Sequence, residues 1–335
     1  MPGSNHPSRR DAIRIGLAAG VGLTFGRLPL SAQLERVARQ QQLPLITKRI
    51  PSTGEMLPVV GIGTNRYGVN TPEEIAPLRD VLRKLADLGG KVVDTARGYG
   101  RAEEVIGQCV KEIGNRDKLF IATKFSTRDG APRGGNAGAN ERASQPTARQ
   151  GLDQAFARLQ MDKLDLMMVH NLGGTEELLP LMFEHKQAGR YKYVGISISS
   201  DQQYQQMAGF MRQYPLDFIE IDYSIGNRNS EELILPLAQE RGMAVLVNVP
   251  FGGRRATVLQ EVAGRPVPDW AKEFDATSWP QVFLKYIVSH PAVTAVIPGT
   301  TKVEHAIDNH GAARGKLPDA AMRRRIEQFY DALPR

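Results

Sequence analysis

The chain has 335 residues, 41% of them hydrophobic and 24% charged, a balance that fits a globular fold and excludes fibrous or wholly disordered organisation. One cysteine, Cys109, excludes an internal disulfide framework and any cysteine-rich zinc or iron–sulfur centre. The net charge of +7 is uneven: residues 1–32 hold Arg9, Arg10, Arg14 and Arg27 against the single acid Asp11, and no basic stripe with interleaved aromatics follows, so no nucleic-acid partner is expected.

The first residues along the chain read as an export signal, the alternative being an ordinary basic tail ahead of an amphipathic helix. Arg9-Arg10-Asp11 precedes a short, moderately apolar run over 16–26, and small residues follow at Ser31-Ala32. The run is well short of the roughly 18–20 apolar residues that cross a bilayer, so no stable membrane span is expected. The paired arginines and Gly/Ala-rich core resemble a twin-arginine (Tat) signal. That resemblance implies recognition by the Tat translocation machinery, export in the folded state and a periplasmic location. Residues 1–32 are read as a Tat-like signal peptide and 45–335 as a single domain.

From residue 44 onward, short β-rich runs alternate with helical patterns. The strand candidates are Val59–Gly63, Lys91–Asp94, Leu119–Thr123, Leu164–Val169, Tyr193–Ser197, Phe218–Asp222, Met243–Val247 and Thr294–Ile297. Helical periodicity marks the stretches 73–88, 102–113, 147–159, 176–188, 201–212, 231–241 and 278–289, with a terminal helix over 322–330 whose arginines suggest a solvated basic face. Thr71-Pro72-Glu73-Glu74 supplies an N-cap, a first-turn proline and first-turn acids. Eight apolar strands, each followed by a helix, predict an α/β fold of the (β/α)8 TIM-barrel type. A doubly wound sheet is the competing fold, but no Gly-x-Gly-x-x-Gly follows the first strand. Residues 46–50 and 56–58 around Ser52-Thr53-Gly54 predict a hairpin ahead of the barrel. Cys109 and Trp279 are expected in the core.

Active sites of such barrels gather where strands end and the following loops begin. The polar residues there are Thr64, Asn65, Asp94, Lys124, His170, Ser197, Glu220, Asp222 and Asn248. The segment Asp94-Thr95-Ala96-Arg97-Gly98-Tyr99-Gly100, with Lys124 and His170 ending the next two strands, resembles the aldo-keto reductase family, and the likeness extends over about 45–315. It implies oxidoreduction between an aldehyde or ketone and an alcohol by hydride transfer. By resemblance, Tyr99 is the proton donor, Lys124 the cation that tunes it and Asp94 the carboxylate holding Lys124, while His170 orients the carbonyl. The residue types suit the task. Negative charge develops on the carbonyl oxygen, and a phenol is a weak acid until a cation favours its ionised form.

The resemblance implies NADP(H), with NAD(H) as the alternative cofactor. It places Gly63, Thr64, Asn65 and Asp94 along the cofactor. Ser197, Glu220 and Asn248 fall at the nicotinamide, and Pro250, Phe251, Gly252, Gly253 and Arg254 in a pyrophosphate loop. Gly299, Thr300, Thr301, Lys302, His305 and Asn309 fall around the adenosine phosphate. Four positions depart from the family pattern: Ile198 follows Ser197, Glu220 replaces a glutamine, Asn248 replaces the stacking aromatic, and His305 replaces an arginine. A carboxylate at Glu220 beside the ring would favour the oxidised nicotinamide, unless it points elsewhere. Arg66, Tyr67 and Trp270 are expected to line the substrate pocket. Residues 126–145 read either as a substrate lid or as a disordered insertion.

Two other readings stay open. One is a cofactor-binding regulatory protein of the same fold with little turnover, as in potassium-channel β-subunits. The other is a metal-assisted barrel enzyme using Asp94, His170 and Glu220.

Overall fold

The structure, a computed structural model, describes residues 30–127, 147–253 and 257–334. The expected signal lies almost wholly outside these residues, as do most of the 126–145 segment and Arg254.

Among the described residues, eight parallel strands follow one another in chain order: β3 (Ile62–Gly63), β4 (Val92–Asp94), β5 (Phe120–Phe125), β6 (Leu164–Val169), β7 (Tyr191–Ser197), β8 (Phe218–Asp222), β9 (Ala244–Asn248) and β10 (Ala295–Val296); a hairpin of β1 (Thr47–Arg49) and β2 (Met56–Pro58) precedes them. Parallel bridges of Val60 with Val296 and of Gly63 with Gly299 bring the last strand back to the first. The sheet therefore forms a nearly closed (β/α)8 barrel. The seam strands are shorter than expected, because they meet through isolated bridges rather than a ladder. Glycine is required there: a Cβ on Gly63 would stand 2.9 Å from the Ile297 carbonyl oxygen.

The helices start where their caps dictate. Before the Pro72–Asp87 helix, the Thr71 hydroxyl accepts from the Glu74 N–H at 3.3 Å, and the Glu74 carboxylate accepts from the Thr71 N–H at 3.1 Å. This reciprocal cap satisfies two otherwise unpaired donors. Most helix-facing side chains of the barrel, such as Val93, Ile121, Met167, Val194, Ile219 and Val245, belong to the main core. Their inward neighbours, Val92, Phe120, Leu166, Tyr193, Phe218 and Ala244, form a second cluster with Ile50 and Leu57 of the hairpin segment. The hairpin thus seals the N-terminal end of the barrel. Its Thr53 hydroxyl lies 2.7 Å from the Tyr193 hydroxyl, which also donates to Glu55 at 2.8 Å.

Cys109 and Trp279 are buried as expected. Other placements correct the sequence reading. A helix at Leu30–Gln42 occupies a stretch left unassigned and begins inside the expected signal; Gln40 anchors it by donating to Gln281 Oε1 at 2.7 Å. Tyr67 is fully buried and donates to the Thr300 carbonyl at 3.1 Å, a brace across the seam. Trp270 packs on Phe274 and edge-on against Phe329, which ties its loop to the Ala320–Asp331 helix. On that helix Arg323 turns inward to Tyr223 at 2.9 Å and Glu231 at 3.1 Å, leaving Arg324 and Arg325 on the exposed face. No helix among the described residues is long and apolar enough to cross a membrane.

Candidate active site

Successive side chains of a strand point to opposite faces, so residues two apart share the interior. Two positions beyond inward Ala122, Phe218 and Leu246 stand Lys124, Glu220 and Asn248, and Asp94 stands two beyond Val92. The same alternation that fills the lower barrel with apolar groups fills its upper layer with polar ones.

Lys124 is the hub. Its Nζ lies 2.5 Å from both Asp94 carboxylate oxygens and 3.2 Å from the Thr95 carbonyl oxygen. Across the barrel it meets Glu220 Oε2 at 2.9 Å, a contact with ion-pair distance but without hydrogen-bond alignment. Lys124 and Glu220 are 1% exposed and Asp94 2%, so water does not screen the three charges. Burial opposes the lysine's charge, but Asp94 and Glu220 outweigh it and hold Lys124 above the usual lysine range. Burial, followed by the Glu220 charge, pushes Asp94 well above the usual carboxylate range against the pull of Lys124.

Tyr99 and His170 stand half-buried above this layer. Tyr99 closes the short turn Arg97–Tyr99 after β4; its ring centroid is 5.7 Å from Lys124 Nζ and 5.6 Å from that of His170. Directly after His170, Asn171 and Leu172 adopt positive φ, at 50° and 56°, which is uncommon for residues other than glycine. Asn171 N–H reaches the Ser197 hydroxyl at 3.4 Å, and its side-chain oxygen accepts from Ser199 at 3.3 Å. The four residues expected to perform proton transfer therefore converge from β4, β5 and β6.

The expected cofactor residues follow around the same rim. Asn248 is clamped, its Nδ2 donating to the Ile198 carbonyl at 2.8 Å and to Glu220 Oε1 at 2.9 Å, while its buried Oδ1 has no partner. Val249 is held at φ 46°, and Pro250, Phe251, Gly252 and Gly253 turn away after it, with open space around Gly253. Across the seam, Thr64 donates to the Asp94 carbonyl at 2.8 Å; Asn65, Arg66, Gly299, Lys302 and His305 are exposed, Thr300 and Thr301 half-buried, and Asn309 buried. Asp222 is occupied structurally, accepting from Asn227 Nδ2 at 2.8 Å and from the Tyr204 hydroxyl at 3.3 Å.

Sequence reasoning missed three features here. The Glu220 carboxylate faces Lys124, Ile198 holds Asn248 through its backbone, and the buried Thr95 hydroxyl has no partner. Strand alternation alone could have shown that 124 and 220 both point inward. Among the described residues no group of three His, Cys, Asp or Glu side chains is placed to hold a metal ion. Asp94 and Glu220 instead share an ammonium, which disfavours the metal-assisted reading.

A (β/α)8 barrel with a buried lysine–carboxylate cluster beneath a tyrosine and a histidine defines a class of hydride-transfer barrel. The Aldo/keto reductase family model matches residues 59–331, and the chain belongs to that family. It is an oxidoreductase of the carbonyl–alcohol couple. It is 24% identical over 303 residues to the aldo-keto reductase yakc [NADP(+)] of Schizosaccharomyces pombe, covering 80% of this chain and 87% of that one. An aldo-keto reductase from Bacillus halodurans in its holo form superposes with a TM-score of 0.66 at 22% identity, over 85% of this chain and 96% of that one. Another, from Klebsiella pneumoniae in complex with NADPH, gives 0.62 at 22% identity, over 88% and 98%.

Proposed function

We propose that the protein interconverts an aldehyde or ketone and the corresponding alcohol with NADP(H), Tyr99 exchanging the proton with the substrate oxygen. The observation that carries this reading is the buried Lys124 ammonium lying under Tyr99, with His170 beside it. NADP(H), when bound, supplies the hydride for reduction or takes it up in oxidation. In reduction Tyr99 O–H gives its proton to the carbonyl oxygen as negative charge develops there, the Lys124 charge stabilises the phenolate left behind, and water restores the phenol. His170 donates a hydrogen bond that aligns the carbonyl.

The residues present fit this cofactor. Asn248 Oδ1 is a fixed acceptor with no partner, the kind of group a carboxamide N–H would need. The turn after β9 offers backbone N–H groups with room at Gly253. Half-buried Thr301 and exposed Lys302 would offer a ribose 2′-phosphate a hydroxyl and a point charge. The NADP(+) and NADPH in the names of the yeast and Klebsiella proteins support the same choice. Titrating the protein with NADPH and NADH by fluorescence, then following NADPH consumption with a panel of small aldehydes and ketones, tests the reading. Saturable NADPH binding with turnover is expected; absence of binding would overturn it.

We further propose that residues 1–32 direct Tat export of the folded chain to the periplasm, on the strength of Arg9-Arg10 and the run over 16–26. Replacing both arginines by lysine should retain the protein inside the cell, and unchanged export would refute the assignment.

A further inference from the structure

Lys124 serves two carboxylates that come from opposite sides of the barrel. Asp94 on β4 is its neighbour in the sheet, whereas Glu220 on β8 is three strands away and reaches it through the interior at 2.9 Å. Glu220 is not there by default. Asn248 Nδ2 donates to its other oxygen at 2.9 Å and is itself pinned by the Ile198 carbonyl, so the carboxylate is held against the lysine from behind.

We propose that Glu220 is a positioning residue of the proton-transfer set: by sharing the Lys124 ammonium with Asp94, it keeps Tyr99 in its phenol form to higher pH than a lone lysine–aspartate pair would. This rests on the assignment of Tyr99 as the proton donor.

The charge balance gives the sign. Among the described residues, the groups facing Tyr99 include Asp94 and Lys124 beneath it, Glu220 beyond Lys124, and His170 at its edge; Asn248 is uncharged, Arg97 in the same turn is tied to Gln154 at 3.1 Å, and Arg101 to Glu104 at 2.9 Å. With Asp94 alone, the buried cluster is neutral when Lys124 is protonated. With Glu220 added it carries one negative charge. Each carboxylate has an oxygen within ion-pair distance of the ammonium, and with both ionised the extra negative charge opposes the phenolate. The phenol is the form that donates a proton in carbonyl reduction, and the phenolate is the form that accepts one in alcohol oxidation. Glu220 thus extends reduction toward alkaline pH and moves the onset of oxidation upward.

The test is a direct titration of Tyr99 in the full-length protein, without cofactor or substrate. Tyrosine labelled with 13C at Cζ gives one resonance per residue, and Tyr99→Phe identifies the one that matters. In Glu220→Gln, which keeps the shape and the oxygen that accepts from Asn248, the Tyr99 titration should move down by about one pH unit or more. Glu220→Asp keeps the charge but withdraws it by one methylene, and should fall between Glu220→Gln and the native protein. Should Glu220→Gln fail to fold, the aspartate variant decides alone, a downward shift supporting the proposal and the native value overturning it. A Tyr99 titration unmoved in both variants overturns it as well. Because no turnover is involved, this result is independent of whether Tyr99→Phe abolishes reduction, which judges the functional assignment itself.

Discussion

Tyr99 and His170 meet edge to face, their ring centroids 5.6 Å apart and their planes at 90°. The contact lets each ring restrain the other, with the Lys124 ammonium 5.7 Å from the Tyr99 ring centroid. Replacing Tyr99 by phenylalanine keeps the ring and removes the hydroxyl that carries the proton. Carbonyl reduction should fall by about 10²–10⁴-fold, with NADPH affinity unchanged by fluorescence titration. Native turnover in this variant would remove Tyr99 from the mechanism.

Lys124→Met should cost stability as well as activity. It leaves Asp94 and Glu220 buried together with no cation between them, and breaking a buried ion pair from one side costs about 3–5 kcal/mol. Asp94 already titrates above its ordinary range, and removal of the ammonium raises it further. A carboxyl group raised in the folded state favours folding at low pH and withdraws that support as pH rises through its folded value. The deficit in thermal midpoint relative to the native protein should therefore be smaller at pH 5 than at pH 8.

Gly107 marks the closest approach of the Ala102–Ile113 and Ala148–Leu159 helices: a Cβ there would lie 2.4 Å from the Leu159 carbonyl oxygen. The obstacle is backbone, which cannot swing aside as a side chain can. Gly107→Ala should destabilise by about 1–3 kcal/mol despite alanine's better helix propensity. Urea unfolding would show it as a lower midpoint at unchanged slope.

His310 is buried, and burial pushes its pKa down to about 4 from the ordinary 6.5. Its neutral form fits the fold, so the stability it contributes is complete above the unfolded value and drains away as pH falls toward 4. The loss approaches about 3 kcal/mol across that window. His290 is lowered to about 4 as well, again chiefly by burial. His310→Gln should flatten the decline in urea midpoint between pH 7 and pH 4.5 without abolishing it, because His290 remains. An unaltered slope would show that His310 is already charged in the folded protein.

The barrel was legible because its rules are local. Strand runs, caps such as Thr71 with Glu74, and polar strand ends lie within a few residues of one another, and Asp94, Lys124 and His170 occupy successive strands. What escaped depends on distance in the chain. Glu220 finds Lys124 across the interior, 96 positions apart by the sequence numbering, and no local signal says which polar end it faces. Arg323 reads as one of three basic neighbours until Tyr223 and Glu231 turn it inward. Trp270 and Tyr67 also take contacts from distant parts of the chain, Phe329 and the Thr300 carbonyl, that their own loops do not announce.

The hairpin of β1 and β2 has a kinetic consequence. With Ile50 and Leu57 stoppering one end of the barrel, both reactants must enter and leave through the other. Asn248, Tyr99 and His170 are all half-buried at that same end, so the proposed cofactor and substrate share one mouth, and product inhibition in steady-state turnover should report which of the two leaves last.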